Sequence, residues 1–213
     1  MRPPAEKLIR ALKAAVFLLC LGPAARLVWK GFHNDLGANP IDVITRATGQ
    51  WTLIFLLITL GITPLRKILQ MPWLIRFRRM VGLFAFTYGS LHLMTWLWLD
   101  KFFDPHEMWT DIIKRRFITA GLTAWLLMMP LALTSTKGWI RRMGGKRWQL
   151  LHRLIYVSAA AGVFHFMWLV KADLRRPLTY GAILSVLLFF RIINWLAGKM
   201  VTKPSARAVG DLS

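Results

Sequence analysis

Six long apolar stretches run through this chain, at about 12–29, 50–65, 80–99, 117–133, 150–170 and 178–197, with short charge-rich breaks between them. A bilayer core takes about 20 apolar residues of helix to cross, and each stretch reaches or approaches that length. The pattern predicts an all-α, six-helix bundle set in a membrane. Arg26 interrupts the first stretch. Thr63-Pro64 is expected to end the second, because proline has no N–H to give and crowds the preceding turn. No internal repeat, linker or low-complexity segment divides the chain, so residues 1–213 read as one transmembrane domain. The tail after Lys203 is expected to be disordered. Composition agrees: 56% of the 213 residues are hydrophobic and 11 are tryptophan.

A net charge of +20 would suit a nucleic-acid-binding protein if its basic residues shared one face. Here apolar spans separate them, which argues against that class. With the N-terminus placed in the cytoplasm, seventeen Lys and Arg fall on inner segments, among them Arg76 to Arg79 and the run Arg141 to Arg147. Nine fall on outer segments, together with seven of the nine acidic residues. By the positive-inside rule both termini are expected in the cytoplasm. The first apolar run lacks a small-residue cleavage site, so no signal peptide is expected.

Three histidines lie inside apolar spans: His92 in the third, His152 and His165 in the fifth. Ionisable groups at such depth are rare and usually functional, and neutral imidazole is a common axial ligand of haem iron. At about 1.5 Å per helical residue, His92 lies roughly 20 Å beyond Arg79, and His165 a similar depth beyond the inner edge of its span. Equal depth on two spans predicts that His92 and His165 ligate one haem in the outer half of the membrane. Gly82, Gly89 and Gly162 are expected to let the macrocycle approach. His152, read as continuing the same helix, lies near the inner boundary, and the residues of the third span at its depth are Arg78 and Arg79. Neither arginine is a plausible iron ligand. Three readings stay open: an inner haem on His152 with another ligand or none, an anionic group such as a propionate, flavin phosphate or lipid headgroup held by His152 and the arginines, or a structural histidine. His33 and His106 read as surface residues in outer loops.

The remaining conspicuous residues have ordinary explanations. Cys20 reads as a small apolar residue. Trp29, Trp51, Trp96, Trp98, Trp109, Trp148 and Trp168 read as an interfacial belt. No G-x-G-x-x-G, Walker loop or nucleophile elbow is present, which argues against direct nicotinamide binding and hydrolysis. No extramembrane stretch is long enough for a nucleotide-binding domain, so any soluble donor or catalytic domain is expected on another protein.

Several motifs then carry a family resemblance. Arg78-Arg79-Met80-Val81-Gly82-Leu83 leading to Tyr88-Gly89-Ser90-Leu91-His92, Leu133-Thr134-Ser135-Thr136, and Lys146-Arg147-Trp148-Gln149-Leu150-Leu151-His152-Arg153-Leu154-Ile155-Tyr156 resemble the bacterial MsrQ (YedZ) proteins. Thr48-Gly49-Gln50-Trp51 and Thr63-Pro64-Leu65-Arg66 agree, and the resemblance runs from about residue 35 to residue 195. It places the chain in the wider ferric-reductase-like transmembrane group, whose members stack b-type haems between histidines on neighbouring helices. Arg78 stands where an inner partner of His152 would be expected, which leaves a second haem in question. The resemblance implies an inner-membrane electron-transfer subunit carrying haem b and FMN. It also implies quinol or a cytosolic flavin reductase as donor, and delivery to MsrP, a periplasmic molybdopterin enzyme that reduces methionine sulfoxide in oxidised proteins. A membrane ferric reductase acting on metal chelates, and a transporter with incidental histidines, are the competing classes.

Overall fold

The computed structural model describes residues 4–170 and 172–201; Lys171 and the tail after Lys203 lie outside them. The described residues form nine α-helices and no strand: α1 Glu6–Phe32, α2 Pro40–Ile68, α3 Ile75–Met94, α4 Pro105–Lys114, α5 Arg116–Leu133, α6 Lys137–Met143, α7 Gly145–Leu151, α8 Leu154–Leu169 and α9 Arg175–Val201. A 3-10 turn at Pro72–Leu74 precedes α3, and a π-helical segment at Thr95–Asp100 extends it. Six helical segments are long and apolar enough to cross a membrane, as the hydrophobic pattern predicted. α2 lies along α3, α5 lies along α8, and the two pairs meet in a core built on Leu56, Leu60, Tyr88 and Ala159.

Lipid tails are as apolar as leucine, so close packing and interhelical hydrogen bonds must hold such a bundle together. Ser158, fully buried, donates to the carbonyl of Ala124 at 2.8 Å and joins α8 to α5. Tyr88 accepts from the backbone N–H of Ala24 and donates to the carbonyl of Cys20, both at 2.9 Å. Its hydroxyl thereby bridges one turn of α1 beside Pro23, where the helical ladder is already interrupted. Cys20 is buried there, as a small apolar residue should be.

Two expectations about helix ends need correction. α2 does not stop at Thr63-Pro64 but continues to Ile68. Pro64 leaves the carbonyl of Leu60 without its i+4 donor, and the guanidinium of Arg191 on α9 supplies a replacement at 2.9 Å. In the other case, His152 and His165 do not share one helix. The chain turns at His152 and Arg153, where the N–H of Arg153 reaches back three residues to Leu150 and that of Tyr156 to Arg153. His152 ends α7, with both its backbone N–H and its Nδ1 on the carbonyl of Trp148.

In the connection after the span that bears His92, Asp104 caps α4 by accepting from the N–H groups of His106 and Glu107. Lys101, only 12% exposed, lies 3.0 Å from the buried carboxylate of Asp111, 3.5 Å from Glu107 and 3.8 Å from Asp100. Asp111, with Glu107 and Asp100 adding to it, raises the lysine above its ordinary range. A cation whose folded pKa is raised contributes stability that is complete below its unfolded value, about 10.4, and fades as pH climbs through the folded value. Docking of α4 should therefore resist pH up to that point. Lys101→Met should speed amide exchange throughout α4 at neutral pH, while the wild-type helix loosens only above about pH 10.4. Unchanged exchange in the variant would show that apolar contacts alone hold α4.

Candidate functional site

Two groups of polar side chains lie at opposite ends of the bundle. The first group is the histidine pair, expected from the sequence to lie toward the outer side. His92, late in α3, and His165, late in α8, bring their ring centroids to 5.8 Å at an interplanar angle of 80°. Each ring is half-buried and fixed by one backbone carbonyl: Nδ1 of His92 donates to Thr45 at 2.9 Å, and Nδ1 of His165 to Phe117 at 2.6 Å. A carbonyl can only accept, so both Nδ1 atoms carry the proton and both Nε2 atoms keep a lone pair. Those carbonyls belong to the second turn of α2 and the first turn of α5, so four helices define the pair.

The glycines that make room for these rings are not the ones expected. Gly82 faces Thr59, Gly89 faces Met128, Thr52 and Trp125, and Gly162 faces Leu53. It is Gly49 and Gly121 that lie against the imidazoles: a Cβ at Gly49 would sit 2.9 Å from His92 Cε1, and one at Gly121 only 2.6 Å from His165 Nδ1. Both distances are shorter than real carbon contacts allow, so the rings occupy their places only because these positions lack a side chain.

Among the described residues no three His, Cys, Asp or Glu side chains gather as metal ligands. Two facing imidazoles fit a metal that brings its own equatorial donors. With metal–nitrogen bonds of about 2.0 Å, opposed imidazole ligands have centroids about 6 Å apart, close to the spacing here.

The second group surrounds a cavity of about 600 Å³, termed the inner cavity after the side on which the sequence expects it. Arg78 and Arg79 from the start of α3, His152, and Arg153 and Tyr156 from the turn into α8 all line it. His152 stacks on Trp148 with centroids 3.8 Å apart, and Trp148 Nε1 donates to the carbonyl of Thr134 at 2.9 Å. The Nε2 of His152 is buried and, among the described residues, meets no partner in good hydrogen-bond geometry. Arg78 is half-buried, Arg79 and Arg153 are exposed, and among the described residues none of the three makes an ion pair. Such a wall of cations can take a multiply charged anion.

Between the two groups Phe86 and Trp125 stack with centroids 5.9 Å apart, and Trp125 donates to Ser90 at 3.0 Å. Phe86 also lines the inner cavity, so this aromatic layer connects it to the part of α3 that leads to His92.

His33 and His106 are exposed as expected, though His106 lies in the first turn of α4 rather than in a loop; His33 stacks on Trp29. Sequence reasoning missed Gly49, Gly121, Arg191 and the role of Trp148. Arg191 carried a usable signal, an arginine well inside the sixth span. Trp148 looked like one more interfacial anchor.

The description "Ferric reductase like transmembrane component" belongs to the family model that matches residues 46–163, a stretch containing His92 and His152. Curated relatives cover nearly the whole chain. The haem-binding subunit MsrQ of the protein-methionine-sulfoxide reductase of Herminiimonas arsenicoxydans is 51% identical over 89% of this chain and 88% of its own length. Its counterparts in Caulobacter vibrioides, 49% identical over 89% and 90%, and Azospira oryzae, 52% identical over 90% and 82%, agree. The chain is therefore a multi-pass membrane protein of the ferric-reductase-like transmembrane group and belongs to the MsrQ family.

Proposed function

We propose that this chain is the b-haem electron-transfer subunit of a methionine sulfoxide reductase system. It acts in the bacterial inner membrane as one transmembrane domain with both termini cytoplasmic. His92 and His165 would hold the haem iron, and the observation that carries this reading is the pair of imidazoles 5.8 Å apart, each held by Nδ1 and left with an Nε2 lone pair. When bound, a haem supplies a one-electron carrier. The chain supplies the rest: Thr45 and Phe117 fix both tautomers and ring orientations, Gly49 and Gly121 keep the ring space open, and the apolar spans exclude water from the iron. Electrons enter from quinol or a cytosolic flavin reductase at the inner cavity. They pass the Phe86–Trp125 layer and leave at the outer face toward MsrP, the periplasmic molybdopterin subunit. Arg78, Arg79 and His152 hold the anionic end of the inner cofactor, read here as FMN, while membrane lipid covers the outer surface of the bundle.

A reduced-minus-oxidised absorption spectrum of the purified protein tests the haem directly. A low-spin b-type spectrum is expected, and its absence after expression with ample haem would reduce the histidines to helix-packing residues. His152→Ala separates the two ends. It should leave the outer low-spin signal largely in place but slow haem reduction from the cytoplasmic side, roughly tenfold if an ordering contact to the inner cofactor is lost. Complete haem loss with normal membrane insertion would instead make His152 a ligand of that haem.

A further inference from the structure

Arg191 is a cation within the sixth span that no acidic side chain among the described residues balances. Its Nη2 donates to the carbonyl of Leu60 at 2.9 Å, its Nη1 to the hydroxyl of Tyr156 at 2.5 Å, and its Nε is buried without a partner. Its guanidinium carbon also lies 5.0 Å from the centre of the Tyr156 ring. The bond to Leu60 is accounted for by Pro64. The bond to Tyr156 is not, since a charge inside a span is costly and a carbonyl alone would satisfy a shorter polar side chain.

Tyr156 explains it. Its ring lines the inner cavity, within electrostatic reach of Arg78, and Arg191 approaches the hydroxyl from α9. With Arg191 donating to the phenolic oxygen, the hydroxyl hydrogen remains to be donated, and among the described residues nothing receives it. The cavity thus offers three kinds of contact: cations from Arg78, Arg79 and Arg153, flat apolar walls from Phe86 and Trp148, and one oriented O–H.

We propose that Tyr156 donates a hydrogen bond to the ligand of this cavity, a planar ring system with a carbonyl edge and an anionic tail, and that Arg191 is the residue that positions Tyr156 for it. The proposal rests on the inner cavity being a cofactor site, as read above. Arginine suits the task because its rigid fork reaches Tyr156 and Leu60 together, and a single ammonium group cannot hold both in that geometry.

The probe is flavin mononucleotide, titrated into the full-length protein carrying its haem in detergent and followed by flavin fluorescence and absorption. Tyr156→Phe should raise the dissociation constant roughly fivefold and shift the bound flavin's absorption bands, with the haem spectrum unchanged. Arg191→Gln should weaken binding by a similar factor, Arg191→Lys by less, and Tyr156→Phe added to Arg191→Gln should cost nothing more, because both act through one hydrogen bond. Wild-type binding in Tyr156→Phe, with Arg191→Gln lowering only the melting temperature, would overturn the proposal and leave Arg191 a staple between α9 and α2. A wild-type protein that binds no flavin mononucleotide would defeat the cofactor reading of the cavity as well, an outcome distinct from failure of the Tyr156 variant alone.

Discussion

His92→Ala and His165→Ala should each abolish the low-spin haem spectrum, while His33→Ala and His106→Ala leave it intact. Changes to groups that only orient a metal ligand typically cost about 10–100-fold in affinity, and these two remove the ligands themselves. The geometry adds a subtler variant. Gly121→Ala leaves every proposed ligand in place, yet its Cβ would stand 2.6 Å from Nδ1 of His165. The ring cannot yield without giving up its bond to the Phe117 carbonyl, also 2.6 Å long. Haem retention in Gly121→Ala should therefore fall by roughly tenfold or more, about 1.4 kcal/mol, with Gly49→Ala weaker because its closest contact to His92 is 2.9 Å. Retention of the full low-spin spectrum in either histidine variant would remove that residue from the iron.

The equal depth of His92 and His165 was legible because helical rise is fixed and the spans are bounded by charges such as Arg79. Their partners were not. Thr45 and Phe117 act through backbone carbonyls, which any residue type carries, and Gly49 and Gly121 come from helices other than those bearing the histidines. Sequence distance could point only to glycines near each histidine in the chain, and Gly82, Gly89 and Gly162 prove to pack elsewhere. The same limit explains Pro64. Its effect on its own helix is local and predictable, but the repair comes from Arg191, more than a hundred residues later. At the inner end, counting residues back from His92 brought Arg78 and Arg79 to the level of His152, and all three line one cavity. The turn at His152 and the stacking of Trp148 on it depend on competition for the single carbonyl of Trp148, which hydropathy does not register.

An alkaline phosphatase reporter fused at Asp104 should be active, and one fused after Arg142 inactive. The two points lie at opposite ends of the bundle. Asp104 caps α4 in the connection following the span that bears His92, and Arg142 lies in the last turn of α6, just before the helix that carries Trp148 into the inner cavity. The positive-inside rule, which counts basic residues rather than net charge, predicts the Arg142 end in the cytoplasm from seventeen Lys and Arg against nine. The direction of electron flow rests on that assignment, because the cationic cavity must face the donor and the His92–His165 pair must face the periplasmic acceptor. The segments at 100–116 and 171–177 would then dock the partner. Asp111 and Lys101 are already committed to each other, and Asp100 and Glu107 lie beside that lysine. Among the described residues, Lys114, Arg116, Arg175 and Arg176 are exposed, make no ion pair and are the cations left to meet an acidic patch. Such a contact should weaken steeply between low and physiological salt, since exposed charges are screened over about 8–10 Å. Reporter activity after Arg142 alone would invert the bundle, turn its cavity outward and send electrons away from the periplasmic enzyme.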